Sequence, residues 1–436
     1  MGIQEHHPRR IALIDGNSFY CSCERVMRPA LEGKPLIVLS NNDGCAIART
    51  QEAKDLGIKM GDPWFKIKHL ADSRGLIALS ANFSLYGDLS QRMMNVIGQF
   101  SPMQEIYSID ESFADLTGTP GTGRELGTAI RDRVKQWVGI PTCVGLGPTK
   151  TLAKSANFLA KKIPRLLGVC DLTTLDAPAR LKAIRHIAIE DVWGVGRRLA
   201  PQLRELGIHT AADLAQADQR VIRDTFSIVL AKTARELAGE SCIAWEDEPP
   251  DKQQIMCSRS FGQPITEKRE LLQALSVFVT GAAEKLRRQQ SFTDTVQIFI
   301  RTSPFREGKH YTGSVVIRLV ETTSDTAALI AAVADGLSSV YRPDILYAKA
   351  GVCLMNIQSE RAASAQLDLF SRNSADSPPG YARLMSAMDN LNARFGRSTV
   401  VPADAFVARA STWSMRQERM TPAYTTDWEQ VVEVWR

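Results

Sequence analysis

The stretch EIYSIDESFADLTG, Glu105 to Gly118, places two carboxylates side by side between two segments with the character of strands. The flanking segments, EIYSI and SFADL, have the apolar content and length of half-buried strands. Successive side chains of a strand point to opposite faces, so adjacent acids can reach one ion only where the pleat is interrupted. The sequence therefore predicts a hairpin with Asp110 and Glu111 at or near its bend.

The segments around this hairpin predict the rest of a sheet. An apolar run, Ile11 to Ile14, predicts a buried strand that ends at Asp15. Apolar spacing predicts helices near residues 84–100 and 124–138, and PTCVGLG predicts a further strand. With the chain between the first strand and the first helix set aside as an insertion, the order is βαββαβ. That order is the ferredoxin-like motif, a sheet with both helices on one face.

The acids of this predicted sheet indicate a metal site. In the ferredoxin-like order the hairpin lies beside the first strand, so we expect Asp15 to approach Asp110 and Glu111. Three carboxylates around one point repel each other unless a divalent cation neutralises them. Mg²⁺ suits such a site, because it uses few carboxylates and fills its other positions with water and phosphate oxygens. The alternative is a solvated turn and a helix N-cap that bind no ion.

Other segments predict the remaining organisation of the chain. In the insertion, PLIVLS predicts a strand and residues 46–57 predict a helix. A mostly helical region at 171–239 is followed by a second βαββαβ order at 254–359. After about Ser359 the periodicity weakens, and SRNSADSPPG predicts a flexible linker.

The bulk composition predicts a soluble protein with several domains. A chain of 436 residues is too long for one ordinary core, so we expect two to four domains. No apolar run reaches the length of a membrane span and MGIQEHHPRR lacks the core of a secretory signal, so we expect a cytoplasmic protein without a membrane partner. The eight cysteines have no repeated pair spacing, which favours reduced thiols. A net charge of +5 permits a polyanionic partner without requiring one.

Three blocks of the sequence carry a resemblance to a known family. IDGNSFY (Ile14 to Tyr20), YSIDESF (Tyr107 to Phe113) and GLGPTKTLAKSANFLAKK (Gly145 to Lys162) resemble signature blocks of the Y-family, lesion-bypass DNA polymerases. LSNNDGCAIARTQEAKDLGIKMGDPWF and the tail resemble one branch, the catalytic subunits of the SOS-induced bacterial DNA polymerase V and their plasmid-borne relatives. The resemblance covers essentially the whole chain.

The resemblance implies an α+β multidomain fold and an error-prone translesion DNA polymerase of the SOS response. Such an enzyme transfers dNTPs past DNA damage by template-directed, two-metal nucleotidyl transfer. The parts that we expect are a ferredoxin-like palm (1–19 and 80–170), a small fingers insertion (20–79), a helical thumb with a helix-hairpin-helix (171–240), a second βαββαβ little-finger domain (254–359), and a C-terminal tail with a clamp-binding motif, a linker and a partner region (360–436).

The resemblance implies that the three acids are catalytic. Asp15, Asp110 and Glu111 would hold two Mg²⁺ ions, and the backbone carbonyl of Gly16 would be a further ligand. One ion would activate the primer 3′-hydroxyl, and the other would stabilise the leaving pyrophosphate.

Three further residues match positions that bind the incoming nucleotide. Lys54 and Lys161 correspond to positions that contact phosphate oxygens, although many relatives carry Arg in place of Lys54. Arg49 is a nearby basic candidate without a family match. Tyr20 would be the steric gate, an aromatic ring under the sugar's C2′ that selects dNTP over rNTP. The alternatives are an exposed helix face for the lysines and a buried core position for Tyr20.

Two regions are expected to contact primer-template DNA. VWGVGRRLAPQLRELGIHTAADL resembles a helix-hairpin-helix, in which Gly194 and Gly196 let backbone N–H groups approach a phosphate and Arg197 and Arg198 add charge. A GxG between helices is also typical of any tight turn. In the second βαββαβ unit, basic side chains are expected to contact DNA phosphates. The alternative is that they form a solvated face. These residues are Arg259, Arg301, Arg318, Arg287 and Arg288.

The last part of the chain is expected to bind other proteins. AQLDLF closely matches the peptide by which bacterial polymerases bind the sliding clamp, through Gln366, Leu367, Leu369 and Phe370. The resemblance also implies a dimer of a cleaved UmuD-like subunit and RecA as partners. The tryptophans Trp413, Trp428 and Trp435 indicate either a contact surface or a small folded cap.

Two other functions stay open at this point. Another palm-type nucleotidyl transferase, such as a nucleotide cyclase, would use similar acids but would not need the hairpin turn, the basic second unit or the clamp-like peptide. A catalytically silent scaffold that binds DNA and clamp and competes with the replicase would have no use for three mutually repelling acids.

Overall fold

A computed structural model describes residues 8–246, 250–305, 308–359, 380–396, 398–406 and 413–432. Contacts divide the chain into two units, Met1–Pro249 with Glu418–Arg436, and Pro250–Gln417. The predicted linker, Trp435 and the predicted clamp-binding residues lie outside the described residues: Gln366, Leu367, Leu369 and Phe370. All eight cysteines are free, as predicted. Across the described ranges, no helix is long and apolar enough to cross a membrane.

The first unit contains eight strands and twelve α-helices in its described part. Its strands are β1 (Ile11–Gly16), β2 (Leu36–Leu39), β3 (Ala46–Arg49), β4 (Ile77–Ser80), β5 (Gln104–Ile106), β6 (Glu111–Asp115), β7 (Thr142–Gly147) and β8 (Val169–Asp171). Its helices are α1 (Phe19–Met27), α2 (Gln51–Asp55), α3 (Trp64–Ile67), α4 (His69–Arg74), α5 (Phe83–Gly98), α6 (Gly123–Val138), α7 (Lys150–Lys162), α8 (Ala177–Ile184), α9 (Leu199–Glu205), α10 (Ala211–Gln216), α11 (Gln219–Thr225) and α12 (Ile228–Ala238).

The first sheet has the strand order β5-β6-β1-β7-β8 and confirms the predicted ferredoxin-like motif, to which β8 adds a strand parallel to β7. Helices cover both of its faces. Ala12 and Ile14 of β1 pack in one core with α5 and α6, whereas Ile11 and Leu13 pack on the other face with Ala153 of α7. Because alternate residues of β1 are buried on opposite faces, the whole strand is apolar up to its last two residues.

Helix α7 lies unusually close to β7. A Cβ atom on Gly145 would lie 2.1 Å from the backbone nitrogen of Asn157, and one on Gly147 would lie 2.7 Å from that of Ala153. The Asn157 side chain is buried and donates a hydrogen bond to the carbonyl oxygen of Cys143 (2.8 Å). The two glycines therefore let α7 pack directly on the sheet, which fixes the helix that carries several lysines of the site.

The insertion between β1 and α5 contains a three-stranded sheet, β3-β2-β4. The prediction of a helix over residues 46–57 is wrong for its first part, because Ala46–Arg49 forms β3 and α2 begins only at Gln51. Ala46 and Ala48 are buried and β3 pairs with β2, so tertiary pairing overrides the helix propensity of alanine. Thr50 then caps α2 by accepting a hydrogen bond from the backbone N–H of Ala53.

Residues 171–240 are mostly helical, as predicted, and helices α8 to α12 share one core with α7 and β8. This core contains small and branched side chains of all five helices, among them Ile184, Leu203, Leu214, Ile222 and Leu237. The helices are short and capped by Asp, Ser or Thr at four of their five N-termini.

The second unit has the predicted βαββαβ order. Its elements are β9 (Ile255–Ile265), α13 (Lys268–Arg288), β10 (Ser291–Thr302), β11 (Thr312–Thr323), α14 (Thr326–Val340) and β12 (Tyr347–Ser359), followed by α15 (Gly380–Phe395). The second sheet is antiparallel, with the order β11-β10-β12-β9. Its first strand lies at an edge, whereas the first strand of the first sheet lies in the middle. Its helices α13 and α14 cover one face, on which Val296, Ile298 and Ile300 are fully buried.

The described part of the tail is divided between the two units. Asp389 of α15 forms a bidentate ion pair with Arg287 (2.7 Å), and Trp413 is buried against Phe278 of the second unit. Residues 418–432 belong to the first unit, where Trp428 is 93% exposed. Trp413 is thus a core residue and Trp428 a surface residue. The predicted domain limits stay predictions.

Candidate active site at the end of the first sheet

The three predicted acids meet at one end of the first sheet. Asp15 of β1 lies directly opposite Glu111 of β6, and the backbone N–H of Gly16 donates to the carbonyl oxygen of Asp110 (2.8 Å). Ser108 shapes the bend between β5 and β6, because its hydroxyl accepts from the Glu111 N–H (3.1 Å) and donates to Asp110 Oδ1 (2.7 Å). The bend interrupts the pleat and places Asp110 and Glu111 at the same end of the sheet as Asp15.

Burial and charge repulsion both act on Asp15. The residue is 9% exposed, and burial raises the pKa of its carboxyl to about 6. The charge of Lys161 lowers this pKa, whereas the charges of Glu111 and Asp110 raise it. Lys161 Nζ lies 2.5 Å from Asp15 Oδ2, and Lys154 Nζ lies 2.9 Å from Glu111 Oε1. Two lysines therefore neutralise a group of acids that would otherwise repel each other.

The donor set fits a hard divalent cation. In the ranges that the structure describes, no three His, Cys, Asp or Glu side chains are grouped closely enough to hold a metal ion. Asp15 and Glu111 each face a lysine, and Asp110 accepts a hydrogen bond from Ser108. The groups present are nevertheless carboxylate and carbonyl oxygens, the ligands that Mg²⁺ prefers. The charges of Glu111 and Asp110 add to the burial that raises the pKa of Asp15, and a cation among these acids would oppose that repulsion.

Lys154 is a part of the site that the sequence analysis did not identify. Its ammonium group lies over the rings of Tyr107 (4.4 Å) and Trp193 (5.1 Å), and Trp193 Nε1 donates to the Tyr107 hydroxyl (3.2 Å). These rings hold the lysine against Glu111. The sequence spacing could have identified Lys154, because it lies seven residues before Lys161 on α7 and so shares one helix face with it.

A second group of cations lies next to the acids. The pKa of Lys54 is lowered by partial burial and by the nearby charges of Arg49, Lys161 and Lys162. The structure thus brings the predicted Lys54 and Lys161 together, with Arg49 beside them. The Arg49 guanidinium donates to the carbonyl oxygen of Ile58 (2.9 Å), and its buried Nε has no hydrogen-bond partner in the described structure. Mutually repelling cations suit a polyanionic ligand such as a triphosphate.

Tyr20 lies at the edge of the core of the first unit, near Asp110. Phe19 is buried at 3% exposure, whereas Tyr20 is half-buried and stacks on Tyr86 with ring centroids 4.6 Å apart. Phe83 meets the Tyr20 ring edge-on at 6.0 Å. Burial raises the pKa of Tyr20, and the charge of Asp110 raises it further. Tyr20 is therefore held by aromatic contacts beside the acids.

The turn of the predicted helix-hairpin-helix, Gly194 to Arg198, is an exposed loop that is anchored by buried valines. It connects the 3₁₀ helix Ile189–Asp191 to α9, and Gly194 has a φ of +86°, a conformation that favours glycine. Val192 and Val195 are buried, whereas the predicted DNA contacts are exposed: Gly194, Gly196, Arg197 and Arg198. The turn therefore presents its glycines and arginines to solvent.

The basic side chains of the second unit lie on both faces of the second sheet. Arg301 and Arg318 are exposed on the face that no helix of the second unit covers, and Arg301 lies opposite Lys349 in the ladder. Partial burial lowers the pKa of Lys349, and so does the charge of Arg301. Arg259 points to the helix-covered face, with its guanidinium 6.0 Å from the Phe278 ring. The structure therefore places Arg259 on the opposite face of the second sheet from Arg301 and Arg318.

The sequence has close relatives over its whole length. It matches the impB/mucB/samB family over residues 14–157, the C-terminal domain of that family over 252–369, and a domain of unknown function (DUF4113) over 382–434. It is 43% identical to the protein UmuC of Salmonella typhimurium strain LT2, over 97% of this chain and 99% of that protein. It is also 43% identical to the protein ImpB of Salmonella typhimurium, over 96% and 98%.

More distant relatives agree with this fold. DNA polymerase IV 1 of Bacillus subtilis strain 168 is 29% identical, over 90% of this chain and 92% of that protein. Among solved structures, a Y-family DNA polymerase chimera of Dbh and Dpo4 matches with a TM-score of 0.64 at 22% identity, over 80% of this chain and 99% of that chain. At this level of identity the structural match concerns the fold.

Proposed function

The chain belongs to the impB/mucB/samB family and is a translesion DNA polymerase of the Y-family, and we propose that it transfers dNTPs by a two-metal mechanism at the end of the first sheet. The observation that carries this proposal is the meeting of three acids, a group of cations and a half-buried aromatic ring at one place. Its expected cellular setting is the SOS response, in the cytoplasm.

The acids would hold the metal ions. Polymerases of this class use divalent metal ions, and we propose two Mg²⁺ ions bound by Asp15, Asp110 and Glu111 with the carbonyl of Gly16. When bound, the ions would lower the pKa of the primer 3′-hydroxyl and stabilise the leaving pyrophosphate. The β5–β6 bend places Asp110 and Glu111 beside the end of β1, and metal binding would require the Asp15 and Glu111 carboxylates to leave their lysine partners.

The cations beside the acids would bind the triphosphate of the incoming dNTP. Lys54 and Lys161, with Arg49 next to them, repel each other in this structure, and phosphate oxygens would relieve that repulsion. Lys161 would exchange its ion pair with Asp15 for a phosphate oxygen, which frees the carboxylate for a metal ion. Lys154 would likewise exchange its ion pair with Glu111 for a phosphate oxygen, which frees the Glu111 carboxylate for a metal ion.

Tyr20 is proposed as the steric gate. Its ring stacks on Tyr86 and lies beside Asp110, where the sugar of a nucleotide bound at the acids would be close. A ribose 2′-hydroxyl would meet this ring, whereas a deoxyribose would not. Selectivity for dNTP would thus follow from the rigid position of one aromatic side chain.

Primer-template DNA is the macromolecular substrate of the chain, and we propose two surfaces that contact its phosphates. One is the exposed turn from Gly194 to Arg198, and the other is the open face of the second sheet with Arg301 and Arg318. The expected protein partners are a cleaved UmuD-like subunit dimer, the sliding clamp and RecA. The clamp is proposed from the AQLDLF peptide and the others from the family.

Primer extension across a single abasic site tests this function and separates it from the scaffold hypothesis. With Mg²⁺, clamp, UmuD-like subunit and RecA present, the wild type should extend past the lesion and Glu111→Ala should not. Both proteins should bind primer-template DNA equally, and Glu205→Ala, which changes an exposed acid, should extend like the wild type. If the wild type and Glu111→Ala both fail to extend a primer and inhibit the replicase equally, the scaffold hypothesis is correct.

A further inference from the structure

A short segment of the tail, residues 419–422, contacts Ser80, Asn82 and Glu24 of the first unit. We propose that this segment positions Tyr20, through Glu24 and Tyr86, and thereby sets how strongly the enzyme prefers dNTP over rNTP. The inference rests on the proposed gate function of Tyr20. The segment lies within the residues that match the domain of unknown function.

The segment is fixed by buried hydrogen bonds. The backbone N–H of Ser80 donates to the carbonyl oxygen of Arg419 (3.0 Å), and the Arg419 N–H donates to Ser80 Oγ (3.0 Å). The Asn82 side chain donates to Thr421 Oγ1 (3.2 Å) and to the carbonyl oxygen of Pro422 (3.1 Å). Ser80, Asn82 and Thr421 are all less than 5% exposed. Thr421 is therefore inserted into the interior of the first unit, whereas Arg419, Met420 and Pro422 are exposed.

A buried carboxyl connects the segment to Tyr86, whose ring stacks on Tyr20. Glu24 of α1 is fully buried, and its Oε1 accepts hydrogen bonds from the hydroxyls of Tyr86 (2.7 Å) and Thr421 (3.2 Å). Its Oε2 has no hydrogen-bond partner in the part of the chain that the structure describes. The position of this carboxyl is thus set by two hydroxyl donors on one oxygen, and one of them comes from the tail.

Tyr86 transmits this position to Tyr20. Tyr20 and Glu24 are four residues apart in α1 and so lie on one face of the helix. The Tyr86 ring stacks on Tyr20 at an interplanar angle of 18°, while its hydroxyl binds Glu24. A shift of the carboxyl therefore moves the Tyr86 ring, and with it the ring that would lie under the sugar. The preference for dNTP over rNTP would depend on the contact between the Tyr20 ring and the sugar. This preference is sensitive to such shifts, because small displacements of reacting groups change rates strongly.

The test is the kinetics of Thr421→Val in the full chain, with kcat and KM measured for dNTP and rNTP on one primer-template. This variant removes the hydroxyl that donates to Glu24 and accepts from Asn82. We expect the ratio of kcat/KM for dNTP to that for rNTP to fall about fivefold. The change should come from a lower KM for rNTP, with kcat for dNTP within about twofold of wild type. Thr421→Ser should restore the ratio, and Thr426→Val, an exposed position in the same tail, should leave it unchanged.

Two further variants separate failure of this inference from failure of the gate. If Tyr20→Ala leaves the ratio unchanged, the proposed gate is wrong. If Tyr20→Ala lowers the ratio and Thr421→Val does not, the gate stands and the inference is overturned. It is also overturned if Thr421→Val lowers the ratio further in the Tyr20→Ala background. Should Thr421→Val not fold, Tyr86→Phe removes the other donor to Glu24, keeps the stacked ring, and should give the same loss.

Discussion

The two sheets of this protein share the element order βαββαβ and use it differently. Helices cover the first sheet on both faces, so only the ends of its strands are open, and its acids lie there. In the second unit the strands have 11 to 13 residues, against 3 to 6 in the first sheet, and helices cover one face. The other face carries exposed residues such as Arg318, Val316 and Val320.

The difference shows how one order of elements yields two kinds of surface. A sheet buried on both faces holds a few strand-end side chains in fixed positions, which suits a metal centre. A long sheet with an open face repeats its side chains every second residue, which suits contact with an extended polyanion. The predictions that follow test whether the first sheet is indeed the rigid one and the second the binding one.

The largest effect on stability is expected from the buried ion pair of the first unit. Lys150 Nζ lies 2.5 Å from Glu105 Oε2, and the two side chains are only 2% and 10% exposed. Glu105→Ala would leave the lysine charge buried and unpaired, so we expect a loss of about 3–5 kcal/mol in the free energy of unfolding. Urea unfolding measures this loss.

The control is the exposed pair of Arg131 and Asp132, whose side chains are 26% and 60% exposed. Asp132→Ala should cost less than about 1 kcal/mol. Equal losses for the two variants would mean that the Lys150 pair does not stabilise the first unit beyond an ordinary surface pair.

Two glycines test the rigidity of the sheets directly. A Cβ at Gly145 meets backbone atoms of α7 that cannot move without moving the helix, so Gly145→Ala should cost about 3 kcal/mol. A Cβ at Gly351 of the second sheet would lie 2.5 Å from the tip of the Phe299 ring, which can rotate, and 2.5 Å from Ser258 Cβ on the edge strand β9. Because an edge strand can shift more easily than a packed helix, Gly351→Ala should cost less than Gly145→Ala, about 1–2 kcal/mol. Thermal unfolding of both variants compares them, and a larger loss for Gly351→Ala would contradict the comparison.

The open face of the second sheet should control DNA affinity. For the double variant Arg301→Ala/Arg318→Ala we expect about tenfold weaker binding to primer-template DNA. The slope of log K against log salt should become shallower by about two, because each arginine neutralises one phosphate. Arg259→Ala, on the helix-covered face, should bind like the wild type, as measured by fluorescence anisotropy across a salt series. An equal loss for Arg259→Ala would show that the open face is not the binding face.

Local patterns predicted most elements, and contacts distant in sequence account for what was missed. The hairpin at Asp110 and the helices on its sheet follow from periodicity and turn residues close in the chain. Ala46–Arg49 reads as helix because its pairing with β2 is not encoded in its own spacing. The order of the second sheet and the contact between Asn82 and Thr421, 339 residues apart, have no local signal at all.

We expect chemistry at the end of the first sheet and DNA binding on the open face of the second. Single-turnover incorporation of one dNTP, measured over a range of primer-template concentrations, separates the two roles. At saturating DNA, Asp110→Asn should lower the rate at least about a hundredfold with an unchanged Kd for DNA. Arg301→Ala/Arg318→Ala should keep the wild-type rate and raise the Kd. A wild-type rate in Asp110→Asn, or a lost rate in the arginine variant at saturating DNA, would contradict the claim.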